Sequence, residues 1–174
     1  MFCSAVNSEI DFKSVVDVGC ADGDLAKQWD ADGYASFGIE GSDAAKEFSV
    51  LREDQQIWYD IRTPMRYPMV VCDLVVSLEV AEHIEPEHAN TYVKNLVMMN
   101  TNGVGILLSA ATPGQGGHYH VNCQFPDYWE KKFKYHEYIR DKCIEENIKR
   151  RIAPWQSAAG IKAFYHNLLY FTME

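Results

Sequence analysis

What the chain lacks narrows its setting before any motif is read. Its five cysteines, Cys3, Cys20, Cys72, Cys123 and Cys143, form no CxxC pair and leave one unpaired under any disulfide scheme. A reducing, cytoplasmic setting is therefore the expectation. No apolar run approaches the length of a bilayer span, and the first eleven residues lack the basic start and long apolar core of a signal peptide, so no membrane partner is expected. Basic residues are scarce over the first 129 positions, where 7 Lys and Arg face 19 Asp and Glu. Such a body does not attract phosphate backbones, and nucleic acid is not favoured as a partner. Only 130–151 reverses the balance, with 8 basic against 5 acidic residues, and it reads as a solvated helix face. Internal repeats and low-complexity segments are absent.

What is present is enough apolar sequence, 47% of 174 residues, for one domain spanning 1–174 that buries an extended sheet between two helix layers. Strand and helix patterns alternate, as they do in a parallel sheet with crossover helices. A β-branched strand at 15–18 leads to a short helix at 24–29, and a second strand at 34–40 to a helix at 44–51 capped by Ser42 and Asp43. A polar third strand at 56–59 fits a sheet edge, near Pro64. The run at 72–78 is almost continuously apolar, which suits a strand covered on both faces. After it, Pro86 opens a helix whose Ala89, Tyr92, Val93, Leu96 and Val97 form one apolar stripe. Asn102-Gly103 turns the chain into a fifth strand at 105–111, and a glycine-rich loop at 112–117 follows. Helices are expected at 126–133 and 141–151, the second as an excursion near the site rim or a sheet edge. The aromatic stretch 164–172 reads as a returning strand.

Around the first strand the chemistry begins. Asp17-Val18-Gly19-Cys20-Ala21-Asp22-Gly23 is a strand-to-helix turn whose small residues admit a ligand close to the backbone. Glu40 closes the next strand 23 residues later, where a doubly wound unit delivers an acid able to hold both ribose hydroxyls. A dinucleotide-binding turn would expose bare helix N–H groups to a pyrophosphate, whereas Asp22 and Asp24 here favour a cationic ligand. DxGxxxG followed by this acid resembles the cofactor site of class I S-adenosylmethionine-dependent methyltransferases. The resemblance implies a Rossmann-like, doubly wound α/β fold: a seven-stranded sheet, mostly parallel with an antiparallel last strand, and helices on both faces. The last strand would lie beside the fifth and pair with a strand near 135–139. The resemblance further implies that Gly19, Cys20, Ala21 and Gly23 line the methionine portion with Asp17 near its ammonium, that Glu40 and Gly41 meet the ribose, that Asp60 and Ile61 hold the adenine, and that Leu78 and Glu79 close over the methionine arm.

A second constellation follows the fourth strand. Glu79, Glu82 and His83, at i, i+3 and i+4, would share one face of a helical turn, and His118 and His120 come after the fifth strand. Carboxylates and imidazoles converging at the sheet edge make a candidate divalent-metal site, Glu79, Glu82, His83 and His120, suited to Mg or Mn. This ExxEH resembles the metal site of small-RNA 2′-O-methyltransferases and quinone-ring O-methyltransferases, although the HYHVN frame of the later histidines departs from both. Without a metal, His120, His118 or His83 is the candidate base for a hydroxyl acceptor. The function expected is methyl transfer to an unidentified acceptor, oxygen preferred, with a small molecule or glycan as substrate. The alternatives are a non-catalytic cofactor-binding subunit and an NAD-linked oxidoreductase. Only about a dozen residues precede the first strand, which implies an open site without an N-terminal lid.

Overall fold

In a computed structural model, which describes residues 1–100, 103–158 and 160–174, the chain forms one seven-stranded sheet. The elements run α1 (Phe2–Glu9), β1 (Ser14–Val18), α2 (Asp24–Ala31), β2 (Ala35–Glu40), β3 (Gln56–Trp58), β4 (Leu74–Ser77), α3 (Ala89–Met99), β5 (Gly105–Ser109), α4 (Pro126–Lys134), β6 (Tyr138–Arg140), α5 (Lys142–Ile152), α6 (Ile161–Phe164) and β7 (Leu168–Met173). Their spatial order is β3-β2-β1-β4-β5-β7-β6. All pairings are parallel except those of β7, which runs antiparallel to both β5 and β6. This is the doubly wound arrangement, with the antiparallel last strand beside the fifth, and β3 forms an edge. No helix among the described residues is long and apolar enough to cross a membrane.

Period-two alternation divides the strands between two cores. Val16, Val75, Ile106, Leu108, Leu169 and Phe171 face Tyr92 and Leu96 of α3 and Trp129 and Phe133 of α4. Val15, Leu74, Val76, Leu107, Leu168 and Tyr170 face Phe2 and Val6 of α1, Trp29 of α2 and Ile148 and Ile152 of α5. Because both faces are covered, β4 and β5 are buried at every position.

Four expectations need correction. Residues 43–47 form a 3-10 turn rather than a helix over 44–51, and Ser42 makes no capping hydrogen bond. The stretch 164–172 begins in α6, so the last strand starts at Leu168. Helix α5 is no excursion. The Asp141 carboxylate caps it by accepting from the N–H groups of Cys143 (2.8 Å) and Ile144 (3.1 Å), and its apolar side completes the second core. Nor is the basic segment merely solvated. Glu145, 1% exposed, is gripped by Nε and Nη2 of Arg140 at 2.7 Å and by Lys149 at 2.8 Å, and Arg140 Nη1 reaches Glu130 at 2.7 Å. Of the Asn102-Gly103 turn, Asn102 lies outside the described residues. All five cysteines are free.

Candidate active site

At the carboxyl ends of β1 and β2 the chain reverses tightly. The N–H groups of Gly19 and Cys20 both donate to the Ile39 carbonyl, at 2.7 and 3.1 Å. Gly19 adopts φ +79°, and any side chain there would collide with Val80. Glu40 ties the two strand ends together: Oε2 accepts from the Ala21 N–H at 3.0 Å and Oε1 from the Ser42 N–H at 2.7 Å. These bonds fix the carboxylate while leaving lone pairs toward the open side.

That open side is a cleft of about 250 Å³. Gly19, Glu40, Gly41, Asp60 and Ile61 all line it, together with Val80, His83 and Ile84. Asp60 is held below the usual carboxylate range, chiefly by the hydrogen bond from Arg62, whose guanidinium lies 2.8 Å away and also reaches Glu85 at 3.4 Å. Asp17 sits buried in β1, and its carboxyl is pushed up to about 7 by burial and then by the charges of Glu40 and Asp22. No Lys, Arg or His among the described residues forms an ion pair with this acidic trio.

Other expected cofactor residues do not line the cleft. The Cys20 thiol lies against Gln56 (3.9 Å), and burial pushes it up to about 12. Ala21 contributes its N–H to Glu40 and is itself exposed. Gly23 caps α2 in a left-handed conformation and is covered by Leu51. Leu78 packs against the second core, and Glu79 faces a different cavity.

Beyond β4 the chain does not make the expected helical turn. Glu79 has φ +55°, and Ala81–His83 is a 3-10 turn, so Glu79 leaves the face shared by Glu82 and His83. Its N–H donates to Ser109 Oγ, and the Ser109 hydroxyl donates back to Glu79 Oε1, both at 2.8 Å. The potential metal-holding cluster is thus Glu82, His83 and His120, whose ligand atoms lie within 4.8 Å of one another. Glu82 is fully buried, and neither carboxylate oxygen has a hydrogen-bond partner. Burial raises its pKa, offset in part by the nearby backbone N–H groups of Glu82 itself and Ala111 and by the adjacent Glu79 carboxyl. The Glu79 carboxyl is likewise pushed up to about 7, by burial first and then by the charge of Glu82.

Two devices hold the imidazoles in place. His83 Nδ1 lies 3.0 Å from the Tyr119 carbonyl, which assigns the proton to Nδ1 and leaves the Nε2 lone pair free. The N–H groups of Val121 and Asn122 both donate to the Glu82 carbonyl at 2.9 Å, clipping the histidine loop onto the turn. His120 packs over Gly117, where a side chain would strike its ring, and its Nδ1 lies 3.7 Å from Cys123 Sγ. His118 stays outside the cluster, exposed beside the Tyr119 ring. Ala21, Glu79 and Tyr119 supply three of the four positive-φ residues other than glycine. Backbone strain is thus concentrated here, at a cost of about 1–3 kcal/mol each. Arg62, Cys123, Gln115 and Lys162 escaped the sequence reading; only the first two had a local signal, standing two and three residues beyond Asp60 and His120.

No family model matches the chain, and a search of curated proteins returns none similar in sequence. Solved structures do resemble it. CalS10, an amino pentose methyltransferase from Micromonospora echinaspora solved with S-adenosylmethionine, superposes with a TM-score of 0.69 over 98% of this chain and 88% of its own, at 12% identity. The O-methyltransferase of a trans-AT PKS multienzyme from Brevibacillus brevis, in complex with S-adenosyl-L-homocysteine, gives 0.65 over 99% and 71%, at 15% identity. The chain has the fold of the class I S-adenosylmethionine-dependent methyltransferases. The cyclase SpnF also superposes, with a TM-score of 0.61 over 97% of this chain and 78% of its own, at 11% identity. The reaction must therefore be argued from the site rather than from the fold.

Proposed function

We propose that the protein is an S-adenosylmethionine-dependent methyltransferase acting on a hydroxyl of a small-molecule or glycan acceptor with the help of a divalent ion. The observation that carries this reading is that His83 belongs both to the cleft lined by Glu40 and Asp60 and to the acid–imidazole cluster. A cofactor subsite and a hydroxyl-activating subsite thus share a wall.

Within the cleft, Glu40 would accept from the ribose hydroxyls, and Asp60 with the Ile61 backbone would meet the adenine once Arg62 yields its hydrogen bonds. The unanswered charges of Asp17, Asp22 and Glu40 suit an ammonium and a sulfonium. They oppose a pyrophosphate, as does the start of α2, where Asp22 Oδ1 already accepts from the Asp24 N–H at 3.2 Å. The NAD-linked alternative loses its anion site on that account. S-adenosylmethionine supplies, when bound, a methyl group activated by its sulfonium, so that the acceptor oxygen takes the carbon as the C–S bond breaks and sulfur keeps the electron pair. The protein's own task is to align the two partners and exclude water between them.

The donors at the cluster fit a divalent cation. Glu82 is a buried carboxylate that forms no ion pair among the described residues, and such a group calls for either a proton, which the neighbouring Glu79 carboxyl would share, or a cation. His83 presents a free Nε2, and His120 completes the set, while hydrogen bonds behind His83 fix its orientation. Mg or Mn held there would supply Lewis acidity that lowers the pKa of an acceptor hydroxyl, whose proton passes to water.

The test has two parts. Calorimetry should detect S-adenosylhomocysteine binding and no NAD binding. Turnover, read as S-adenosylhomocysteine release over a panel of hydroxyl acceptors, should disappear on chelation, return with Mg or Mn, and be lost in Glu82→Gln. Turnover that ignores chelation but follows a single ionisation near neutrality, removed by His120→Ala, would replace the ion with a histidine base. Cofactor binding without turnover on any acceptor would favour the non-catalytic subunit.

A further inference from the structure

The acid–imidazole cluster has a second side. A cavity of about 480 Å³ lies there, lined by Glu79, Gln115, His120 and Lys162, with Gly116 and Ala163 leaving room between them. His83 lines the cofactor cleft, His120 lines this cavity, and Glu82 is buried with its ligand atoms close to both. The cluster therefore borders both openings, and an acceptor seated in one would extend its hydroxyl past the cluster to reach a methyl donor in the other.

The polar groups of the cavity are unevenly distributed. Beside the cluster stand His120 and a Glu79 carboxylate already engaged by the Ser109 hydroxyl. Elsewhere on the wall the free groups are donors. Gln115 Oε1 is occupied, accepting from the Thr112 N–H at 2.6 Å and the Thr112 hydroxyl at 2.9 Å. This fixes the side chain and leaves its amide N–H pair available. Lys162 is exposed and forms no ion pair among the described residues. An ammonium and an amide donor at one end, with a hydroxyl-activating cluster at the other, describe a ligand with two unlike ends. The volume lies within the range of small-molecule pockets.

We propose that this cavity is the acceptor site and that Lys162, assisted by the Gln115 amide, binds an anionic group, carboxylate or phosphate, on a small hydroxyl-bearing acceptor. The proposal rests on the methyl-transfer reading above and names its substrate class. The Lys162 charge contributes to acceptor recognition and takes no part in the transfer itself.

Three probes that differ only in one substituent test it: 3-hydroxybenzoate, 3-hydroxyphenyl phosphate and 3-hydroxybenzyl alcohol, titrated by NMR into protein saturated with S-adenosylhomocysteine. At least one anion should bind ten or more times more tightly than the alcohol. Which anion wins distinguishes carboxylate from phosphate. Lys162→Met should abolish the preference, Lys162→Arg should keep most of it, and Gln115→Leu should reduce it in part. Equal binding of all three probes, or a preference that survives Lys162→Met, overturns the proposal. Failure of the parent reading looks different: the protein would not bind S-adenosylhomocysteine, while the same titrations without it would still report a Lys162-dependent anion preference.

Discussion

Two buried glutamates show how differently one chain treats the same side chain. Glu145 is 1% exposed and Glu82 is 0% exposed. Burial alone would raise the pKa of Glu145, but hydrogen bonds from Arg140 and Lys149 outweigh it and hold the carboxyl below its ordinary value. Glu82 has burial without a cationic partner among the described residues, only the Glu79 carboxyl and backbone N–H groups nearby, and its pKa is raised. The first carboxylate is part of the fold, fastening β6 to α5. The second is opposed by its burial when charged, and either a proton held between it and Glu79 or the proposed cation would relieve it.

The sharpest way to break this comparison is to neutralise each residue. Glu145→Ala leaves Arg140 and Lys149 partly buried without their shared partner and should cost about 3–5 kcal/mol. Glu82→Gln removes the charge that burial opposes and should be neutral or mildly stabilising in ion-free protein. Urea unfolding of both variants decides it: equal losses would mean that Glu82 is structural, and the case for an ion at the cluster would fall. The sharpening control is Mn, which should raise the melting temperature of the wild type and leave Glu82→Gln unchanged.

Glu40 is intermediate between the two, half-buried and anchored by two backbone N–H groups, with its outer lone pairs facing the cleft. Glu40→Ala should weaken S-adenosylmethionine binding by one to two decades, about 2 kcal/mol, and leave the fold standing. Unchanged affinity by calorimetry in a folded variant would remove Glu40 from the cofactor site.

Much of this was legible in sequence because it depends on local pattern. The apolar runs of β4 and β5, the Asp17–Gly23 turn and the Glu40 strand end need no knowledge of distant partners. Even the antiparallel last strand followed from the resemblance those motifs carry. The misreadings share one cause, that local spacing assumes a local conformation. Glu79, Glu82 and His83 share a face only if residue 79 is helical, and its bonds to Ser109, thirty positions away, hold it at positive φ instead. The basic run at 130–151 looked solvated because Arg140 meets Glu145 across a strand–helix junction, at a separation outside helical pairing rules. The second cavity depends on Lys162 and Gln115 meeting from segments that carry no motif at all.

The last prediction is the pH dependence, in which the two glutamates contribute with opposite sign. Asp17 rises from 3.8 to about 7 and Glu79 from 4.5 to about 7, and Glu82 rises as well. A carboxyl with a raised folded pKa binds its proton more readily in the native state. Unfolding stability from these groups is therefore greatest below the unfolded pKa and falls as pH climbs from about 4 to 7. Glu145 has the opposite sign: its contribution is present above 4.5 and is lost as pH falls through its lowered folded value. With Glu79 discounted for the solvent that reaches it, the ion-free protein should be less stable at pH 8 than at pH 5. It should destabilise again below pH 4, once Glu145 protonates. Saturating Mn replaces the proton at Glu82 with a cation and should flatten the share of the neutral limb carried by Glu82 and its neighbour Glu79, leaving the Asp17 share and the acid limb in place. Urea titrations at pH 3, 5 and 8, with and without Mn, read out both limbs. A neutral limb unmoved by Mn would mean that protons alone satisfy the buried acids, leaving the histidine base as the surviving mechanism.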